Sequence, residues 1–166
     1  MRKALSVLIV LMLCLSCTKQ KSMDMLIYGV SFTCPAGWEV TDTGHDGTTA
    51  YVCIEKKGFS SSGLVVMSFT DEDFELDKYL RLTQESFKEH HAFTGIVFQP
   101  AVEANYGKYK GIASAYTFKI GTLKHEGKIH VFQENGITMA LVHQEAIEDH
   151  QKNLSGFEII EESLSF

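Results

Sequence analysis

Asn135-Gly136 stands between two long apolar runs, residues 123–133 and 137–144, and constrains this chain more than any other feature. An Asn-Gly pair tolerates two consecutive positive φ angles, which a two-residue hairpin turn requires. Such a turn sets Glu134 against Ile137, Phe132 against Met139 and Ile129 against Val142. Successive strand residues point to opposite faces, so both faces of this hairpin carry large apolar groups. A sheet built on it must be covered on both faces, at least in part.

The rest of the chain supplies the cover. Residues 28–33 alternate as a strand, Pro35-Ala36-Gly37 turns the chain, and Trp38 opens a second strand. Residues 50–55 and 64–69, apolar but for Ser68, read as two more, the latter central. Leu76, Tyr79, Leu80 and Phe87 recur at helical spacing up to about His91, after an acidic run over 70–75 that suits a helix N-terminus. Further strands follow over 96–98, 101–104 and 109–119. A second helix is expected over 149–163, interrupted at Gly156 because glycine costs a helix interior about 1 kcal/mol. The expected fold class is α+β, an antiparallel β-sheet flanked by helices. At 166 residues, 45% hydrophobic and 22% charged, the chain holds one ordinary domain and is not disordered. Its net charge of −6 argues against nucleic acid as a partner.

The first residues form an export signal. Arg2 and Lys3 precede an apolar run over 4–15, too short for the ~20 residues that span a bilayer. The run ends in Leu13-Cys14-Leu15-Ser16-Cys17, followed by polar Thr18-Lys19-Gln20-Lys21-Ser22. A small residue before a cysteine at this place resembles a bacterial lipoprotein signal, although Cys14 occupies the position where that signal usually has an aliphatic residue. The resemblance implies cleavage before Cys17, several acyl chains on Cys17, and therefore membrane attachment, since one chain alone binds only marginally. Residues 1–16 are then a signal peptide, 17–26 an acylated cysteine with a polar linker, and 27–166 the domain. A plain secretory signal and an uncleaved short helix are the other readings. Cleavage removes two basic residues and no acid, which leaves 13 basic against 21 acidic residues and a net charge of −8. The expected location is the bacterial cell envelope, lipid-anchored and facing the periplasm. The same resemblance implies the outer membrane, since Thr18 stands where an aspartate often signals inner-membrane retention in enteric lipoproteins.

Phe32-Thr33-Cys34-Pro35-Ala36-Gly37-Trp38 resembles the P-x-G-W opening of the PsbP-like superfamily, as does the single helix between Phe69 and Ile96. Residues 157–164 resemble its closing helix. That superfamily includes photosystem II accessory proteins, a nuclear-import factor that binds the Ran GTPase, DcrB-type envelope lipoproteins and chaperones for type VI effectors. The resemblance implies an α/β/α sandwich and non-catalytic work: binding, scaffolding or assembly with a protein partner. It brings no catalytic residue and no cofactor to carry over. Trp38 is expected to pin the second strand into the core beside the turn.

Candidate chemistry is sparse. Cys34 and Cys53 remain after Cys14 is discarded and Cys17 acylated; an oxidising compartment allows either a disulfide or two small buried side chains. Cys14-x-x-Cys17 lies partly inside the apolar run and is no redox motif. Adjacent His90 and His91 point about 100° apart on a helix and cannot chelate together. The Asn135-Gly136 register sets His130 opposite Leu141 and His143 opposite Lys128, so His130 and His143 share a face as diagonal neighbours. They are weak metal candidates: no third ligand is defined, and Lys128 opposes a cation. Asp71-Glu72-Asp73 lacks the spacing of a calcium loop, and Ser60 to Ser62 read as a plain loop. Tyr106, Tyr109, Tyr116 and Phe118 fit either sheet core or an exposed binding surface. No GxSxG, SxxK or HExxH motif occurs. The expectation is a protein without enzymatic activity. A small-molecule or metal-binding envelope protein is the alternative, and an envelope hydrolase ranks last.

Overall fold

The structure, a computed structural model, describes residues 21–58 and 63–166. Strands β1 (Met23–Ile27) and β2 (Val30–Cys34) form an antiparallel hairpin of their own. The main sheet contains β3 (Trp38–His45), β4 (Thr49–Lys56), β5 (Leu64–Thr70), β6 (Thr94–Phe98), β7 (Val102–Tyr106), β8 (Tyr109–Ile120), β9 (Leu123–Glu134) and β10 (Ile137–Ala146). Its order is β3-β4-β5-β10-β9-β8-β6, and β7 also pairs with β8. Every pairing is antiparallel. Helix α1 (Leu76–Glu89) lies between β5 and β6, and α2 (His150–Ser163) closes the chain after a 3-10 turn over Ile147–Asp149.

The Asn135-Gly136 turn takes φ angles of +52° and +79° and sets the expected register: Glu134 faces Ile137, Phe132 faces Met139 and Ile129 faces Val142. The two faces of β9 and β10 then enter two separate cores. Phe132, Met139 and Leu141 join Val52, Val65 and Met67 beneath β2 and α2. Ile129, Val131, Ala140 and Val142 join Tyr79 and Leu80 of α1 on the opposite face. The result is an α+β fold in three layers. The central placement expected for residues 64–69 is found, since β5 lies between β4 and β10.

Trp38 is 5% exposed and crosses Phe157 of α2 edge-to-face, with ring centroids 5.4 Å apart. The Pro35–Gly37 turn delivers it: the Trp38 N–H donates to the Pro35 carbonyl at 3.0 Å and Gly37 has φ +83°. At the C-terminus, Ser165 exchanges two backbone hydrogen bonds with Ser31, of 2.8 and 2.9 Å, and the Tyr109 hydroxyl donates to the Leu164 carbonyl at 3.1 Å. The closing tail is thereby fastened to β2.

Among the described residues the first strand begins at Met23, where β1 pairs with β2 and sets Met25 and Ile27 against the core. Tyr28 belongs to the connecting turn, at φ +51°. Helix α2 runs unbroken through Gly156. An ideal Cβ there would lie 2.5 Å from Trp38 Cζ2, so this glycine makes room for the indole rather than ending the helix.

Candidate functional site

The sheet face under α2 is apolar near the Asn135-Gly136 turn and becomes polar toward the far end of the same hairpin. On β9 the residues pointing this way are His130, Lys128 and Glu126; opposite them on β10 stand Leu141, His143 and Glu145. Alternation alone places all six on one face. The first residue of α2, His150, reaches down onto the far end of this row.

His130 and His143 come together as the register requires, with ring centroids 5.8 Å apart. Tyr106 meets the His130 ring edge-on at 5.1 Å, and Phe157 lies 5.1 Å from the His143 ring. Burial, the neighbouring His143 and Lys128 push the His130 pKa down to about 3. Burial, then Lys128 and His150, push that of His143 to about 4. Both imidazoles are therefore neutral near pH 7. His130 Nδ1 is buried without a hydrogen-bond partner. These two histidines do not form part of a three-ligand cluster among the described residues.

A three-ligand cluster does lie one step along the row. Glu126, Glu145 and His150 bring one ligand atom each within 4.8 Å of one another. His150 Nδ1 is 2.8 Å from Glu145 Oε1 and 3.6 Å from Glu126 Oε1. Glu145 is 4% exposed, and its Oε2 is buried with no hydrogen-bond partner. A cleft of about 240 Å³ opens here, lined by Gln99, Thr117, Lys128 and His143 besides the three. Sequence alone singles out His130 and His143 on this row. Two more steps of the same register place Glu145 opposite Glu126, which was a legible signal, whereas the return of His150 depends on the chain bend after β10.

On the other face, a cleft of about 270 Å³ separates α1 from the sheet. Val66, Leu82, Phe87 and Val142 line it, together with Ser68, whose Oγ is 3.1 Å from the Tyr79 hydroxyl. No carboxylate, histidine or lysine borders it among the described residues.

The remaining sequence candidates are placed as follows. Cys17 and Ser60 to Ser62 lie outside the described residues. Of the two readings open for Cys34 and Cys53, a disulfide or two small buried side chains, the structure has both as free thiols. Cys34 is in the core beneath α2 with Val52 and Ile54; Cys53, between those two on β4, points to the other face. Burial raises both thiol pKa values. His90 caps the end of α1 and stacks on Phe93 at 4.3 Å. Asp71, Glu72 and Asp73 are exposed ahead of α1. Tyr106, Tyr109, Tyr116 and Phe118 are all buried, which makes the aromatic stretch core rather than surface.

No family model and no curated protein matches the chain by sequence. Solved structures match it by shape. CyanoP, the cyanobacterial PsbP of Synechocystis, superposes with a TM-score of 0.59 at 12% identity, covering 90% of this chain and 95% of its own. The fold is PsbP-like. LpqN of Mycobacterium tuberculosis, a protein involved in cell envelope biogenesis, matches with a TM-score of 0.55 at 11% identity, covering 87% of this chain and 89% of its own. A Pseudomonas aeruginosa protein of unknown function matches with a TM-score of 0.51 at 10% identity, covering 87% and 96%. None of the described helices is long and apolar enough to cross a membrane.

Proposed function

We propose that this chain is a lipid-anchored, non-catalytic protein of the bacterial cell envelope whose PsbP-like domain binds a protein partner and supports assembly of an envelope complex. The observation that carries the reading is Cys17, placed after Ser16 at the end of a dozen-residue apolar run and ahead of a polar linker. The acyl chains hold the domain at the membrane, on the periplasmic side and by preference at the outer membrane. The shape shared with LpqN, itself involved in cell envelope biogenesis, supports the same compartment. The absence of nucleophile and metalloprotease motifs in the sequence supports binding over catalysis. Val97 and Val102, 54% and 60% exposed on the two short strands beside β8, offer apolar surface to a partner.

The anchor is tested by metabolic labelling with a fatty-acid probe. The natural chain takes the label and fractionates with membranes, and Cys17→Ala abolishes both; undiminished labelling of the variant defeats the anchor. The partner is tested by mass spectrometry after gentle detergent extraction. A stoichiometric protein that is lost in the Val97→Asp/Val102→Asp variant supports the reading, and a domain recovered alone opposes it.

A further inference from the structure

The Glu126–Glu145–His150 cluster goes beyond that reading. We propose that these three side chains form a binding site for a divalent transition-metal ion, with zinc the best match to two carboxylates and one imidazole.

Three observations carry the assignment. The donors come from three different elements, β9, β10 and the start of α2, yet converge within 4.8 Å. Zinc bonds to nitrogen and oxygen run about 2.0–2.2 Å, so tetrahedral ligand atoms lie roughly 3.4 Å apart. The 3.6 Å between His150 Nδ1 and Glu126 Oε1 already fits, and the 2.8 Å to Glu145 Oε1 needs only a small opening. Finally, Glu145 is buried and keeps one oxygen unsatisfied, an arrangement that costs free energy unless a partner arrives. A cation satisfies that carboxylate and takes the place of the hydrogen bond between Glu145 Oε1 and His150 Nδ1, with the imidazole hydrogen on Nε2.

The charge balance explains the need for two carboxylates. Lys128 lines the same cleft, and the N-terminal end of α2 adds positive potential. One carboxylate would be offset by these; two leave the site net attractive to a divalent ion. Three protein ligands leave a further coordination position facing the cleft, open to water or to a donor from another molecule.

The test is calorimetric titration of the untagged full-length protein in detergent with zinc chloride. One saturable site per chain is expected, with a zinc-dependent rise in melting temperature. Glu126→Gln and His150→Ala should each weaken binding about tenfold or more, and Glu126→Gln, at a half-exposed position outside the Glu145–His150 hydrogen bond, should melt without zinc close to the natural protein. Lys128→Gln should tighten binding by removing a repelling charge. His90→Ala/His91→Ala should change nothing. The proposal is overturned by the absence of a saturable site, by binding that survives in both Glu126→Gln and His150→Ala, or by binding that follows His90 and His91 instead. None of these outcomes depends on acylation of Cys17, so this proposal and the envelope reading fail separately.

Discussion

Replacing Gly156 by alanine opposes two effects of known sign. In an exposed helix interior, Gly→Ala stabilises by about 1 kcal/mol. Here the new Cβ would stand 2.5 Å from Trp38 Cζ2 and 2.6 Å from both Cε2 and Nε1, well inside van der Waals contact. The indole has little room to retreat: a Cβ at Gly63 would lie 2.7 Å from Trp38 Cη2, and Phe157 closes another side. Overpacking of this kind costs about 1–3 kcal/mol, and the confined ring places Gly156→Ala at the upper end. The expected net effect is a destabilisation of about 2 kcal/mol, or roughly 4–8 °C in melting temperature for a domain this size. Urea unfolding followed by circular dichroism measures it, and a cycle with Trp38→Phe isolates the cause. With the smaller ring, Gly156→Ala should become neutral or stabilising, giving a coupling of about 2–3 kcal/mol. A higher melting temperature for Gly156→Ala alone, or additivity in the cycle, would refute the reasoning.

Three further outcomes are expected. Above about pH 6.5 His130 is neutral whether the chain is folded or not; below it, the unfolded chain takes up a proton that the folded one refuses until its pKa of about 3. Stability should therefore fall on acidification by up to about 1.4 kcal/mol per pH unit from this group, roughly 2 kcal/mol by pH 5, and His130→Leu should flatten that slope in urea titrations. Gly136→Ala forces a side chain into φ +79° and should cost about 1 kcal/mol by the same titration, whereas an unchanged midpoint would show the turn tolerates it. Alkylation under denaturing, non-reducing conditions should label both Cys34 and Cys53 in peptide maps, and protection of the pair would contradict their separation onto opposite faces.

The Asn135-Gly136 turn was legible from sequence because it is local: two residues that tolerate positive φ fix a register, and alternation then assigns every side chain on both strands to a face. From that followed the two-sided sheet, the shared face of His130 and His143, and the core seat of Trp38 beside its turn. Even the Glu126–Glu145 pair was available by the same rule, two rungs further along.

Other features required the assembled layers. Gly156 reads as a helix breaker in sequence, and only the indole of Trp38, brought from the other end of the chain, turns it into a packing requirement. Cys34 and Cys53 look equally able to bridge until β2 and β4 are stacked and alternation turns Cys53 away. The aromatic stretch from Tyr106 to Phe118 fits core or surface until α1 and α2 cover the two faces. His150 joins the two carboxylates because the 3-10 turn after β10 folds α2 back over the sheet. The sequence by itself therefore determined what depends on neighbours a few residues apart: turn, register, facing, the helical periods and the lipoprotein-like leader. Tertiary structure decided what depends on distant segments meeting, because contacts across a closed core are set by how layers of different chain regions stack, and no periodicity within one segment records them.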